Sequence, residues 1–312
     1  MDSPLLSIQQ LCKRYGELRA VDDVSFEVRA GEIYGLLGPN GAGKTTTISL
    51  SCGLLKPDVG SVSVEGVSFW SDPHRARSRM GVVPQDLALY EELSGRENLE
   101  FWGRIAGLSM GDSRSRATEL LEALSLADKA RQAVKKYSGG MKRRINLGCA
   151  LMHRPRLILL DEPTVGIDPQ ARANILEFIK KLVAEGVGIL YTTHYLEEAE
   201  SLCDRIGIID HGRILAEGTL DELRTQTGFE QLFVIEGNFE GLDPEQWSGF
   251  LETFNLVQQS KRQMVVSTRT QMDPAAGLKQ LLTLPVQLEN VTLKRPSLND
   301  TFLKLTGRDL RE

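Results

Sequence analysis

Apolar and polar residues alternate along Leu6-Ser7-Ile8-Gln9-Gln10-Leu11 and again from Val21 to Val28. That is the period of strands buried on one face, and it predicts an antiparallel pair near the start of the chain. Ile33-Tyr34-Gly35-Leu36-Leu37 is instead a short continuous apolar run, the mark of a strand buried on both faces, and Thr45–Leu55 after it carries helical spacing. From Ser94 to Leu126 helical periodicity takes over, with Leu99, Trp102, Ile105 and Ala106 on one face and Leu120, Leu121 and Leu124 on another. Apolar strands return at Leu157–Leu160, Gly188–Thr192 and Ile206–Ile209, with a helix expected over Gln170–Glu185 between the first two, so a right-handed parallel crossover is the natural reading. Beyond about residue 225 the segments shorten: strands are expected at Leu232–Glu236 and Met264–Thr268, helices at Pro244–Phe254 and Ala275–Leu282. The pattern predicts an α/β domain over 1–225, with a mixed core sheet, an antiparallel β subdomain and a helical subdomain at about 86–150. A small α+β domain follows over 226–312.

Two stretches carry chemistry. Gly38-Pro39-Asn40-Gly41-Ala42-Gly43-Lys44-Thr45 follows a strand and opens a helix. In that setting the pattern G-x-x-x-x-G-K-T is a phosphate loop: backbone N–H groups and the helix N-terminus face phosphate oxygens, Lys44 neutralises the β/γ-phosphates and Thr45 ligates Mg²⁺. Leu157-Ile158-Leu159-Leu160-Asp161-Glu162 is an apolar strand ending in two carboxylates, and ligands of open α/β sheets bind at such strand ends. This places Asp161 to hold Mg²⁺ and Glu162 to act as general base on the attacking water. Either motif alone has an ordinary structural explanation, as a glycine turn or a solvated acidic loop; together they indicate a phosphate-loop ATPase.

Composition narrows the setting. The 312 residues are 41% hydrophobic and 25% charged, the range of globular proteins, and the net charge of −5 argues against a nucleic-acid backbone as the main partner. Cys12, Cys52, Cys149 and Cys203 are scattered without paired spacing, so separate thiols in a reducing compartment are expected. The opening residues 1–6 carry no signal-peptide pattern, and no apolar run reaches the about 18 residues of a spanning helix. A membrane role would need a partner.

Tyr137-Ser138-Gly139-Gly140-Met141-Lys142-Arg143-Arg144 sharpens this. As bare chemistry it is a serine N-cap followed by two glycines at a helix start. It also resembles the signature motif of the ATP-binding cassette (ABC) ATPases, usually written LSGGQ, with Tyr137 and Met141 replacing the first and last residues. The resemblance covers about residues 5 to 225 and implies further roles. Tyr15 resembles the aromatic that stacks on adenine. Gln85, in Val83-Pro84-Gln85-Asp86, resembles the glutamine that touches Mg²⁺ and relays nucleotide state. Asp168, in Val165-Gly166-Ile167-Asp168-Pro169, belongs to a D-loop at a dimer interface, and His194 resembles the switch histidine at the γ-phosphate. Thr46 joins the phosphate loop as a nucleotide contact, while Ser138, Gly139 and Gly140 would meet the ATP held by another cassette.

Thr192–Glu200, the signature octet and the ending Pro296–Arg308 are similar to bacterial ABC-2-type exporters of the daunorubicin drug-resistance group. The resemblance implies ATP and Mg²⁺ as cofactors, a second cassette (a homodimer), and a separate integral-membrane permease. It also implies a peripheral place on the cytoplasmic face of a bacterial plasma membrane and no nucleic-acid partner. An importer ATPase, or a cytosolic ABC protein without a permease, stays open from these residues; the single cassette and short C-terminal tail favour the exporter.

Overall fold

The computed structural model describes residues 3–226, 232–239, 254–268, 273–282, 288–294 and 297–306. Its chain falls into two compact units, Met1–Glu217 and Gly218–Glu312.

In the first unit, β1 (Leu6–Tyr15) and β2 (Leu18–Val28) form the expected antiparallel pair, joined at Gly16. β4 (Val59–Val64) and β5 (Val67–Ser68) extend them into a sheet of order β2-β1-β4-β5. β3 (Ile33–Leu37) is buried at every residue. It sits inside a second sheet of order β10-β9-β3-β8-β7-β6, with β6 at Met80–Val83, β7 at Leu157–Asp161, β8 at Gly188–Thr193, β9 at Arg205–Asp210 and β10 at Arg213–Gly218. The pairs β3·β8, β3·β9, β6·β7 and β7·β8 are all parallel. His211 and Gly212 form the two-residue β9–β10 turn, both at positive φ, as a hairpin of this hand requires.

Strand periodicity divides the core. Ile158, Leu160, Ile189 and Tyr191 join one buried cluster with the helices of the insertion, while their neighbours Leu157, Leu159 and Leu190 join a second with β1, β2 and β4. Successive side chains point to opposite faces, so both faces of the parallel sheet are covered and its strands read as unbroken apolar runs.

Helices complete the unit. α1 (Lys44–Ser51) stops short of the expected Leu55, because Gly53 turns left-handed with φ +68° against the ring of Phe69. α2 (Pro73–Arg77) precedes β6. The insertion holds α3 (Gly95–Ile105), α4 (Met110–Ala123) and α5 (Gly139–Ala150), and α6 (Pro169–Ala184) and α7 (Leu196–Leu202) flank β8. The apolar stripe of α3 does not all face inward: Asn98, Leu99 and Gly103 are buried, whereas Ile105 is 66% exposed. Gly103 lets the helix approach Met152 and Ser113 too closely for a Cβ, which turns Trp102 and Ile105 onto an outer groove.

The second unit pairs α8 (Leu220–Gln226) with a sheet of order β12-β13-β11-β14, all antiparallel: β11 Leu232–Gly237, β12 Phe254–Gln259, β13 Gln263–Thr268 and β14 Leu288–Lys294. α9 (Pro274–Leu281) and α10 (Leu298–Thr306) complete it. Its core is Phe233, Ile235, Phe239, Phe254, Met264, Val266 and Leu281. Of the helix expected over Pro244–Phe254, residues 244–253 lie outside the described residues, and Phe254 opens β12. Among the described residues no helix is long and apolar enough to cross a membrane.

Candidate active site

The parallel register aligns the carboxyl ends of four strands. Leu37 of β3 pairs with Thr193 of β8, Asp161 of β7 with Thr192, and Val83 of β6 with Leu160. The segments leaving those ends carry the phosphate loop, Glu162, His194 and Gln85, so motifs far apart in sequence arrive at one edge of the sheet.

Between β3 and α1 the backbone curls through Gly38–Gly43. Gly43 has φ +106°, and a Cβ there would lie 2.4 Å from the Ala20 carbonyl oxygen, so no other residue fits. It is also the N-cap of α1 and offers no side-chain hydrogen bond. By contrast α3, α4, α5 and α6 are closed by Ser94, Ser109, Ser138 and Asp168. The first-turn N–H groups and the positive end of α1 are therefore left to an outside anion. Lys44, 4% exposed, folds back so that Nζ donates to the carbonyls of Gly38 at 2.7 Å and Pro39 at 2.9 Å. It stands 3.1 Å from Glu162 Oε1. Burial pulls this ammonium below its ordinary range, against the opposing charge of Glu162. Ala42 is buried behind the loop, its carbonyl accepting from Gly212 N at 3.0 Å.

Asp161 ends β7 and is 2% exposed. Its Oδ1 accepts from Thr192 Oγ1 at 2.7 Å. Burial raises its pKa, while hydrogen bonds from Thr192 and Thr45 counter the rise. The carboxylate of Asp161, the hydroxyl of Thr45 and the amide of Gln85 are hard oxygen donors. Among the described residues no group of three or more His, Cys, Asp or Glu gathers into a metal cage. A sparse donor set that leaves room for phosphates and water suits Mg²⁺ and not an all-protein site.

Glu162 follows at φ +45°, rare for a residue with a Cβ. Its Oε1 lies 3.1 Å from both Lys44 Nζ and His194 Nδ1, and its Oε2 accepts from Gln85 Nε2 at 3.5 Å. Burial would raise its pKa, but the His194 hydrogen bond and the Lys44 charge outweigh burial and hold the carboxyl below the usual range. Near neutral pH it is a carboxylate able to accept a proton.

These groups surround a cleft of about 720 Å³ whose walls include Tyr15, Asn40, Gly41, Gly43, Lys44, Thr45, Thr46, Gln85, Glu162 and His194. Tyr15 stands at its rim, 47% exposed, a free aromatic face. Of the expected contacts, Gly38, Pro39, Ala42 and Asp161 are not among its lining residues, and neither are four from the signature and D-loop motifs. Ser138 accepts from Met141 N at 3.3 Å as the cap of α5, and Asp168 accepts from Ala171 N at 2.9 Å as the cap of α6. Gly140 abuts Ala171, where a Cβ would stand 2.4 Å from that side chain, and Gly139 is the first residue of α5. Ser138, Gly139, Gly140 and Asp168 thus sit together outside the cleft of their own chain, whose wall the D-loop reaches through Val165.

Sequence reasoning missed several residues. Leu18, Arg19 and Ala20 line the cleft along with Tyr15, with which Leu18 pairs across the hairpin; Val165 and His211 line it too. The tight turn at Gly16, φ +58°, was the available signal. Thr192 and the buried Arg143 hold the backbone of Glu162, and nothing in local spacing marks either.

Comparison with known proteins agrees with this geometry. Residues 21–165 match the family model described as ABC transporter. The linearmycin resistance ATP-binding protein of Bacillus subtilis is 40% identical, covering 99% of this chain and 100% of its own. A Nod factor export ATP-binding protein of Ralstonia nicotianae is 40% identical over 99% and 96%. A daunorubicin/doxorubicin resistance ATP-binding protein of Streptomyces peucetius is 38% identical over 95% and 91%. Among solved structures, an ATP-binding subunit of an ABC transporter aligns with a TM-score of 0.66 and 34% identity, over 80% of this chain and 99% of that one. With an uncapped phosphate loop, a buried acidic pair at the sheet edge and relatives matched from end to end, the chain belongs to the ATP-binding subunits of ABC transporters and is an ATPase of that family.

Proposed function

We propose that this ATPase works as half of a homodimer that drives export through a separate membrane permease, from the cytoplasmic face of the plasma membrane. Two copies close on two ATP molecules, each lying between one chain's phosphate loop and the other's Ser138-Gly139-Gly140. Tyr15 stacks on the adenine, Lys44 and the N-terminus of α1 neutralise the phosphates, and His194 meets the γ-phosphate. Glu162 takes the proton of the attacking water, and Gln85 hydrogen-bonds beside it. Thr45, Asp161 and Gln85 would hold Mg²⁺, which when bound supplies positive charge against the phosphate oxygens. Closure biases the permease between two conformations and hydrolysis reopens the pair. The export assignment draws on relatives whose names record drug resistance and Nod factor export.

The observation that carries the chemistry is Glu162 Oε1 at 3.1 Å from both Lys44 and His194, on a cleft lined by the phosphate loop. Glu162→Gln keeps the shape and removes the base. ATP affinity is expected to persist while turnover falls by about 10²–10⁴-fold, with an ATP-bound dimer accumulating in size-exclusion chromatography. Turnover near the parental rate would overturn the assignment.

A further inference from the structure

Arg143 lies on α5, five residues beyond Ser138, and is only 5% exposed. Its side chain reaches the backbone behind two cleft residues, Gln85 and Glu162. Nη1 donates to the Pro84 carbonyl at 3.0 Å, and Nη2 donates to the Glu162 carbonyl at 3.3 Å. The first oxygen belongs to the peptide that begins Gln85, the second to the peptide that leaves Glu162. One planar guanidinium therefore grips the backbone beside both side chains that meet at 3.5 Å over the cleft.

Glu162 needs such a grip. Its φ of +45° is a conformation that a residue with a Cβ keeps only when its surroundings hold it. On one side its N–H is fixed by Thr192 Oγ1 at 3.0 Å. On the other its carbonyl takes Arg143, together with Val165 N at 3.3 Å. Thr192 belongs to the parallel sheet and Arg143 to the helix that starts with the signature motif, so the strained peptide is suspended between sheet and helical insertion.

We infer that Arg143 is a positioning residue for hydrolysis: it ties the signature helix to the backbone of Gln85 and Glu162 within the same chain, so that the base is aimed only while α5 is seated. The inference rests on the assignment of Glu162 as the base. A lysine could keep the charge and reach one carbonyl, but it lacks the fixed two-pronged fork; a methionine fills the space and reaches neither.

The test is steady-state ATPase kinetics on the full chain with a separate nucleotide-binding measurement, for Arg143→Lys and Arg143→Met. Turnover is expected to fall on the order of 10- to 100-fold with KM and ATP affinity nearly unchanged, because misplacing a base harms the chemical step and not binding. If the methionine variant does not fold, as shown by loss of stoichiometric ATP binding, the lysine variant decides. In the Glu162→Gln background, Arg143→Lys should lower the residual rate no further, since the group it aims is gone; a general loosening of the fold would add its full loss there. Parental turnover in the lysine variant, a parallel loss of affinity and turnover, or an undiminished effect in the Glu162→Gln background would each overturn the inference. Near-parental turnover of Glu162→Gln alone would instead overturn the base assignment on which it rests.

Discussion

Thr192 uses one hydroxyl for two carboxylate-bearing residues. It donates to Asp161 Oδ1 at 2.7 Å and accepts from Glu162 N at 3.0 Å, and it is fully buried. Thr192→Val keeps the shape and removes both bonds, leaving a buried N–H without a partner. Unfolding by denaturant should show a loss of about 1–3 kcal/mol, with turnover falling as well because both acidic residues lose their support. Unchanged stability would mean that the hydroxyl is dispensable. The contrast with Lys44 shows what a sequence reveals at this scale. Lys44, Thr45, Asp161 and Glu162 stand in short strings whose spacing itself implies chemistry. Thr192 is an ordinary strand residue, and its role exists only because β8 lies beside β7 in a register that pairs it with Asp161. Arg143 is hidden in the same way: the partners of its side chain are 59 and 19 residues away.

At the scale of elements, the strands buried on both faces were legible as apolar runs, and the helical insertion as a change of period. Its first helix carries its own start signal. Ser94 accepts from Glu97 N at 3.2 Å, and Glu97 Oε2 accepts from Ser94 N at 2.8 Å, a complete capping box. Ser94→Ala should lower stability by about 1 kcal/mol while leaving kcat unaltered, because Ser94 lies outside the cleft; an ATPase assay beside a denaturation curve checks both. A loss of turnover would show that the α3 entrance is coupled to the site. The orientation of α3 could not be read from its apolar stripe, since Gly103 and not a large residue sets the closest approach. The edge strand β14 escaped notice for another reason: most of its residues are exposed, and Leu288 and Val291 alone pack on the core of their unit. The C-terminal stretch singled out by family resemblance has a plain physical content. Ser297 and Asp300 cap α10 reciprocally, and Thr301 Oγ1 reaches the Leu223 carbonyl of α8 at 3.3 Å.

For the whole molecule, the decisive fact is that the signature residues and the cleft are apart in one chain. In the proposed dimer each ATP site takes its phosphate loop from one copy and its Ser138-Gly139-Gly140 from the other, related by a two-fold axis. Gly139 allows this to be tested without disturbing the fold. Within the chain a Cβ at Gly139 would meet nothing closer than Ile167 Cγ2 at 4.0 Å, and an acidic residue suits the first turn of a helix. Gly139→Asp should therefore fold normally yet repel the phosphate brought by a partner, and turnover should collapse. Lys44→Ala should be inactive for a separate reason, its loop no longer holding ATP tightly. Mixed in equal amounts and allowed to exchange, the two chains form a heterodimer with one site that carries both defects and one that carries neither. Random pairing makes half of the dimers heterodimers, each with one of two sites intact, so about a quarter of the parental sites return. ATPase activity should reappear on mixing in that proportion if one intact site turns over alone, and an ATP-stabilised dimer that neither variant forms by itself should appear in size-exclusion chromatography in any case. If every site were completed within one chain, mixing would restore neither, and the shared-site reading would fall.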